Sequence, residues 1–138
     1  MYNKYIMKLT AYSKNRFYRS FSSYHVAEDF ATPIYNYLVH GFNPGSFFTS
    51  VLANDLMGAM PRSHPSNTIQ ALKYLAVWII NELPRNVCWG SYEVIENWIN
   101  MSVADRRAIL AERRLVFTEE EETVLVLKGE KVEQVFFP

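Results

Sequence analysis

The chain has a single cysteine, Cys88, among 138 residues, which excludes a disulfide-stapled scaffold. It has no long hydrophobic run. The longest clean apolar stretch, Tyr74 to Ile80, falls far short of the ~20 residues a membrane-spanning helix needs. The N-terminal residues contain no apolar block of the kind a secretory leader carries. There is no G-x-S-x-G elbow, P-loop or G-x-G-x-x-G. The three histidines, His25, His40 and His64, stand at no metal-ligand spacing with one another or with Cys88. Net charge is also missing: 14 basic and 14 acidic residues cancel, which argues against a nucleic-acid coat protein. These absences lead us to expect a protein of a reducing, cytosolic compartment with no metal, no cofactor, no membrane span and no enzymatic centre.

Aromatic residues are abundant, with 3 Trp, 9 Tyr and 9 Phe. A chain this apolar with no net charge is expected to fold, and its length suits one domain. The zero net charge hides opposite ends. Residues 1–27 carry Lys4, Lys8, Lys14, Arg16 and Arg19 and no acid, whereas residues 119–138 carry six acids against Lys128 and Lys131.

The middle of the chain reads as helix. Thr32-Pro33 is a start signal and Gly41 a stop signal, giving a helix over 33–40 or the end of a longer one from near Val26. After the Phe42-Asn43-Pro44-Gly45 turn, Phe48, Val51, Leu52, Leu56 and Ala59 repeat at helical spacing over 46–58. A helix over about 65–83 carries an apolar stripe so wide, from Ile69 to Leu83, that a central position contacted from two sides is expected. Ser91 caps a short helix bearing Val94, Ile95, Trp98 and Ile99, and Ser102 starts another that runs to about Arg114 with Asp105 in its first turn.

The ends read as strands. Thr123 to Leu127 and Lys131 to Phe137 flank Lys128-Gly129-Glu130 as a hairpin, and Leu115 to Phe117 could add a strand. Tyr5, Met7 and Leu9 alternate with Lys4 and Lys8, and Asn15 to Ser22 could form a further strand. The expected fold class is therefore α+β. A basic β-rich end (1–25) and an acidic β-hairpin (115–138) form a small antiparallel sheet beside a helical bundle of four to five helices (26–114).

Among residues with chemical potential, Asp55 lies at the edge of a buried stripe and needs a partner such as Arg62, Ser63 or free backbone N–H groups. Arg106, Arg107, Arg113 and Arg114 form a face that either binds anions or pairs with Glu119 to Glu122, with the pairing favoured. His40 suits a helix C-terminus, His64 a surface loop, and Cys88 a structural thiol. The basic aromatic start, from Tyr2 to Arg19, has a composition suited to single-stranded nucleic acid but equally ordinary for a strand.

The string Tyr35 to Leu56 (YNYLVHGFNPGSFFTSVLANDL), followed by Arg62, Asn67 and Cys88-Trp89-Gly90-Ser91, resembles a pattern in small helical phage proteins. In that pattern an aromatic helix ends in His-Gly, then come Pro-Gly-x-Phe, Val-Leu-x-Asn-Asp-Leu and Trp-Gly-Ser. The chain is also similar to phage anti-CBASS sponge proteins, which bind cyclic nucleotide signals of host immunity as oligomers. It departs from them in that the helix over 46–58 holds no Lys or Arg. The resemblance implies a homo-oligomer in the host bacterial cytoplasm that sequesters a nucleotide signalling molecule without turnover. Tyr35 would stack a base, Asn36 would read its edge, Thr49 and Ser50 would form a polar wall, and Arg62 would meet phosphate. In the alternative reading Tyr35 and Tyr37 are core or interface aromatics. The protein is then an inhibitor or adaptor that binds a host defence protein, such as a restriction, CRISPR or polymerase component.

Overall fold

The structure is a computed structural model; it describes residues 7–129 and 132–135, with side chains from Leu9 to Gly129. The chain runs β1 (Met7–Thr10), α1 (Ala11–Ser23), α2 (Glu28–His40), α3 (Ser46–Leu52), α4 (Leu56–Ala59), a 3-10 turn (Met60–Arg62), α5 (Ile69–Glu82), α6 (Tyr92–Asn100), α7 (Val103–Glu112), α8 (Glu119–Leu127) and β2 (Val132–Val135). The helical core is as expected from the sequence, but of the expected sheet only one short pairing of the two ends is formed. Among the described residues the one strand pairing is a four-residue antiparallel ladder, with Met7 opposite Val135 and Thr10 opposite Val132.

Two segments expected as strands are helices. Residues 15–22 lie inside α1. The Thr10 hydroxyl accepts from the Ser13 N–H at 3.2 Å and starts the helix, and Ser13, Phe17 and Phe21, four residues apart, form its buried face. Residues 123–127 lie inside α8. Thr118 and Glu121 form a reciprocal capping box, and the four glutamates occupy the first turn, where the helix dipole favours negative charge. Residues 115–117 form no strand, and Leu115 and Val116 are buried where the chain turns from α7 to α8. The expected hairpin therefore does not exist. Its turn residue Glu130, its second arm beyond Val135 and the N-terminal Tyr2, Lys4 and Tyr5 lie outside the described residues.

The axis of the core is α2, which buries residues on nearly every side, including Phe30, Ile34, Tyr35, Tyr37, Leu38 and Val39. Helices α1 and α7 pack against it. Pro33 sits within the helix; the carbonyl left without a donor belongs to exposed Asp29, near the helix start. Gly41 ends α2 at φ 69°. Its N–H donates to the Tyr37 carbonyl, and the next N–H, of Phe42, donates to the Asn36 carbonyl. A side chain at Gly41 would strike the Arg106 guanidinium, 2.9 Å from an added Cβ. The three tryptophans all satisfy their indole N–H groups. Trp78 donates to Ser20 Oγ at 2.9 Å, Trp89 to the Leu83 carbonyl at 3.0 Å and Trp98 to the Tyr37 carbonyl at 3.1 Å.

α5 is not central. It buries Leu75, Trp78 and Ile79 and leaves Ile69, Val77 and Ile80 exposed.

The chain ends are joined through one carboxylate. Buried Glu122 of α8 accepts from the Thr10 N–H (3.0 Å), the Thr10 hydroxyl (3.3 Å) and the Ser13 hydroxyl, and pairs with buried Arg107 of α7. Arg107 also approaches Glu119 at 4.0 Å. Removing one partner of a buried ion pair strands the other in low dielectric. Glu122→Gln is therefore expected to cost roughly 3 kcal/mol or more in urea unfolding, far beyond the change caused by Glu120→Gln on the exposed side of the same helix.

Candidate functional site

The four arginines have separate tasks. Arg107 makes the ion pair above. Arg106 is buried and donates to the Met101 carbonyl, capping the end of α6. Arg113 donates to the Asn81 and Glu82 carbonyls at 3.1 and 3.0 Å and caps α5 in the same way. Arg114 adopts φ 60° at the bend after α7; the Glu121 carboxyl is held below its usual range chiefly by hydrogen bonds from Thr118, with lesser help from the charges of Arg16 and Arg114. The four therefore present no common face, and the expected pairing with Glu119 to Glu122 is made by Arg107.

Of the residues expected to bind a ligand, Tyr35 is 2% exposed. Its ring packs edge-on against Phe17 at 5.0 Å and near Tyr18 and His40, with Lys14 Nζ 6.0 Å from its centroid. In this setting it is a core aromatic with no open face for a base, which is the alternative raised for it above. Asn36 is half-buried and its carbonyl takes part in the α2 cap. Thr49 is half-buried on α3.

Ser50 and Arg62 do meet. Arg62 Nη1 donates to Ser50 Oγ at 2.8 Å and to the Gly58 carbonyl at 3.0 Å. Ser50 Oγ lies 3.2 Å from the Tyr92 hydroxyl of α6. Tyr92 in turn donates to Asp55 Oδ2, and Asp55 Oδ1 accepts from the Gly58 N–H at 2.9 Å. Asp55 thus finds the partners its position demands. The Tyr92 hydrogen bond, the Gly58 N–H and the nearby Arg62 charge hold its carboxyl below the ordinary range. The helix expected over 46–58 is broken here: Asn54 turns left-handed at φ 62° and Asp55 caps the new short helix α4. Gly58 is required beside it, because an added Cβ would lie 2.2 Å from the Asp55 carboxylate.

This polar clamp borders an apolar groove of about 540 Å³ between α3, α4 and the first half of α5. Phe47, Val51, Ala59 and Met60 face Leu72 and Ala76 across it, and Asp55 and Lys73 are its charged lining residues. Of its lining, Leu56 is 69% and Ile69 70% exposed; outside the lining, Met57 on α4 is 83% and Ile80, farther along α5, 60% exposed.

Elsewhere the chemistry is quiet. Cys88 is buried, and burial pushes its thiol up to about 12. Burial also raises the Tyr37 hydroxyl, which donates to the Cys88 carbonyl at 2.8 Å. His64 sits in a surface loop bonded to Ser66. In the basic aromatic start, Phe17 is buried and Arg16 lies over the Phe117 ring at 4.0 Å, so these groups do not line up as a stacking track. Among the described residues no group of three or more His, Cys, Asp or Glu converges as a metal site, and no helix is long and apolar enough to cross a membrane. No protein-family model, curated protein or solved structure matches the chain.

His40, buried at the end of α2, is held neutral. Burial, then the positive charges of Arg106 and Lys14, lower its pKa to about 4. The unfolded chain, with an ordinary histidine near 6.5, binds more protons between these values. This contribution to stability is full above about pH 6.5 and is lost as pH falls toward 4. Urea midpoints should drop through that window, and His40→Gln should flatten the drop.

Proposed function

We propose that this chain is a non-enzymatic phage counter-defence protein that works in the host cytoplasm by holding a host defence protein, as an inhibitor or adaptor. The observation that carries the binding reading is the apolar face of α4 and α5, where Leu56 and Ile69 stand exposed on the lining of a groove and Met57 stands exposed next to Leu56 on α4. Contiguous exposed apolar surface of this kind marks protein association sites, and Met side chains adapt to a partner's contours. The occupant is a protein segment presenting apolar anchors to Leu56, Met57 and Met60. The phage setting rests on the resemblance carried by residues 35–91.

Met57→Glu places a charge on a fully accessible side chain and should leave the fold intact. A host protein retained at one-to-one stoichiometry by the wild type should be lost with Met57→Glu and kept with Leu127→Glu, a control at the far end of α8. Equal retention by all three would refute the assignment.

The contact of Arg62 with Ser50 favours a second reading, sequestration of a host immune nucleotide signal. Calorimetry with cyclic di- and trinucleotides discriminates between the two. Micromolar binding that disappears in Arg62→Ala would move the assignment to the nucleotide, and absence of heat leaves the protein partner.

A further inference from the structure

The groove between α3, α4 and α5 restricts the form of what it can hold. Its walls are helices, whose main-chain groups pair within each helix, and among the described residues no strand borders it. An extended segment laid there would leave its own amides unpaired over an apolar floor. A helix arrives with its amides already bonded to one another. The floor has helical dimensions as well. Ile69, Leu72 and Ala76 line it from α5, a span of about 11 Å or two turns, and such a row accepts apolar anchors spaced at i, i+3 or i+4 and i+7.

Charge restricts it further. Two charged residues line the groove, Asp55 at the start of α4 and Lys73 on α5. Asp55 is already engaged, by the Tyr92 hydroxyl and the Gly58 N–H. Lys73 is exposed and has no hydrogen bond or ion pair among the described residues. It is the one charged residue between Ile69 and Ile80, and Ile69 and Ala76 lie one turn to either side of it. The groove therefore offers a single unpaired charge, and it is positive.

We infer that the segment held at this face is a short amphipathic helix bearing a carboxylate, which meets Lys73 while the apolar side chains beside it enter the groove. The inference rests on reading the face as a protein-docking surface and names the element of the partner that docks. The carboxylate supplies the counter-charge that Lys73 lacks. Asp55 disfavours a second acid on the α4 side, so the two charges together set the direction in which the helix lies. A basic helix would be repelled by Lys73 and would find Asp55 already bonded.

The probe is a random display library of peptides about 16 residues long, enough to form a helix, selected on the full chain. Enriched sequences should carry apolar residues at i, i+3 or i+4 and i+7 with an Asp or Glu beside them. The synthetic peptide should gain helical circular dichroism on binding. Lys73→Glu should weaken its affinity about tenfold, and replacing the peptide's acid by Lys should restore binding to that variant, which also shows the variant to be folded. Enrichment of alternating, strand-like sequences or of helices without an acid, no enrichment at all, or an affinity indifferent to Lys73→Glu would overturn the inference. A host protein still retained through Met57 in that event would leave the assigned function standing. Acidic helices that bind while no host protein is retained would uphold the inference and remove the function.

Discussion

Glu122 is where the two ends of the chain are made to agree. A carboxylate buried in protein is stable only when its lone pairs are met by donors. Here they are met by the Thr10 N–H and hydroxyl, the Ser13 hydroxyl and the Arg107 guanidinium. Each donor has a second duty. The Thr10 hydroxyl also accepts the Ser13 N–H as the cap of α1, and Ser13 Oγ accepts the Phe117 N–H at 3.0 Å just before α8 begins. One acid therefore fixes the start of α1, the face of α7 and the approach to α8. The β1–β2 ladder is continuous with this node through Thr10. The basic and acidic ends of the sequence meet at this node and in the β1–β2 ladder, but the cation that pairs with Glu122 is Arg107 of α7, and the basic end supplies only the neutral donors of Thr10 and Ser13. Desolvation also explains why geometry matters so much there: the attraction offsets the cost of burial only if every donor is in place.

The second constraint is α2. A helix buried on most of its sides consumes one face of each of its neighbours, and those neighbours need no further apolar face of their own. α7 meets the requirement with Leu110 and with the buried stems of Arg106 and Arg107, whose charged ends find carbonyls and Glu122. α5 does not fit the pattern. Its inner face supplies Leu75, Trp78 and Ile79, with Trp78 stacked on Phe21 at a centroid distance of 4.3 Å, yet its outer face is still apolar. That surplus is the physical basis for assigning function to this side of the molecule.

Much of this was legible in the sequence, and the misreadings have definite causes. The caps at Ser91 and Ser102 and the stop at Gly41 stand where the sequence puts them, because capping is local chemistry. α1 carries a local signal as well, the four-residue spacing of Ser13, Phe17 and Phe21, but it is masked by Tyr and Phe residues of good strand propensity. α8 is masked in the same way by the β-branched Thr123, Val124 and Val126, although Thr118 and Glu121 spell a capping box ahead of it. The width of the 69–80 stripe was visible, but periodicity does not distinguish a second buried face from an exposed one. The clamp was half legible. Asp55 announces a need for partners, but Tyr92, 37 positions away, is brought to it only by the packing of α3 on α6. Tyr35 shows the converse: a residue type suited to stacking a base is equally suited to a core, and only its neighbours decide.

The clamp holds the exposed α4 face in place. A four-residue helix such as α4 has almost no stability of its own, and one carrying Leu56 and Met57 in water would ordinarily fold them inward or fray. α4 is pinned at both ends. Asp55 ties its start to Tyr92 of α6, and Arg62 ties the turn after it to Ser50 of α3 and to the Gly58 carbonyl. Ala59 and Leu52 anchor the interior side in the core. The apolar side chains are thereby held outward on a rigid support, so a partner does not have to supply the ordering free energy that a flexible loop would demand. In the proposed docking role, the polar cluster would contribute by positioning the apolar side chains beside it. That is also why a motif of Ser, Tyr, Asp and Arg, which in another setting would invite a catalytic reading, is better understood here as the frame of a docking surface.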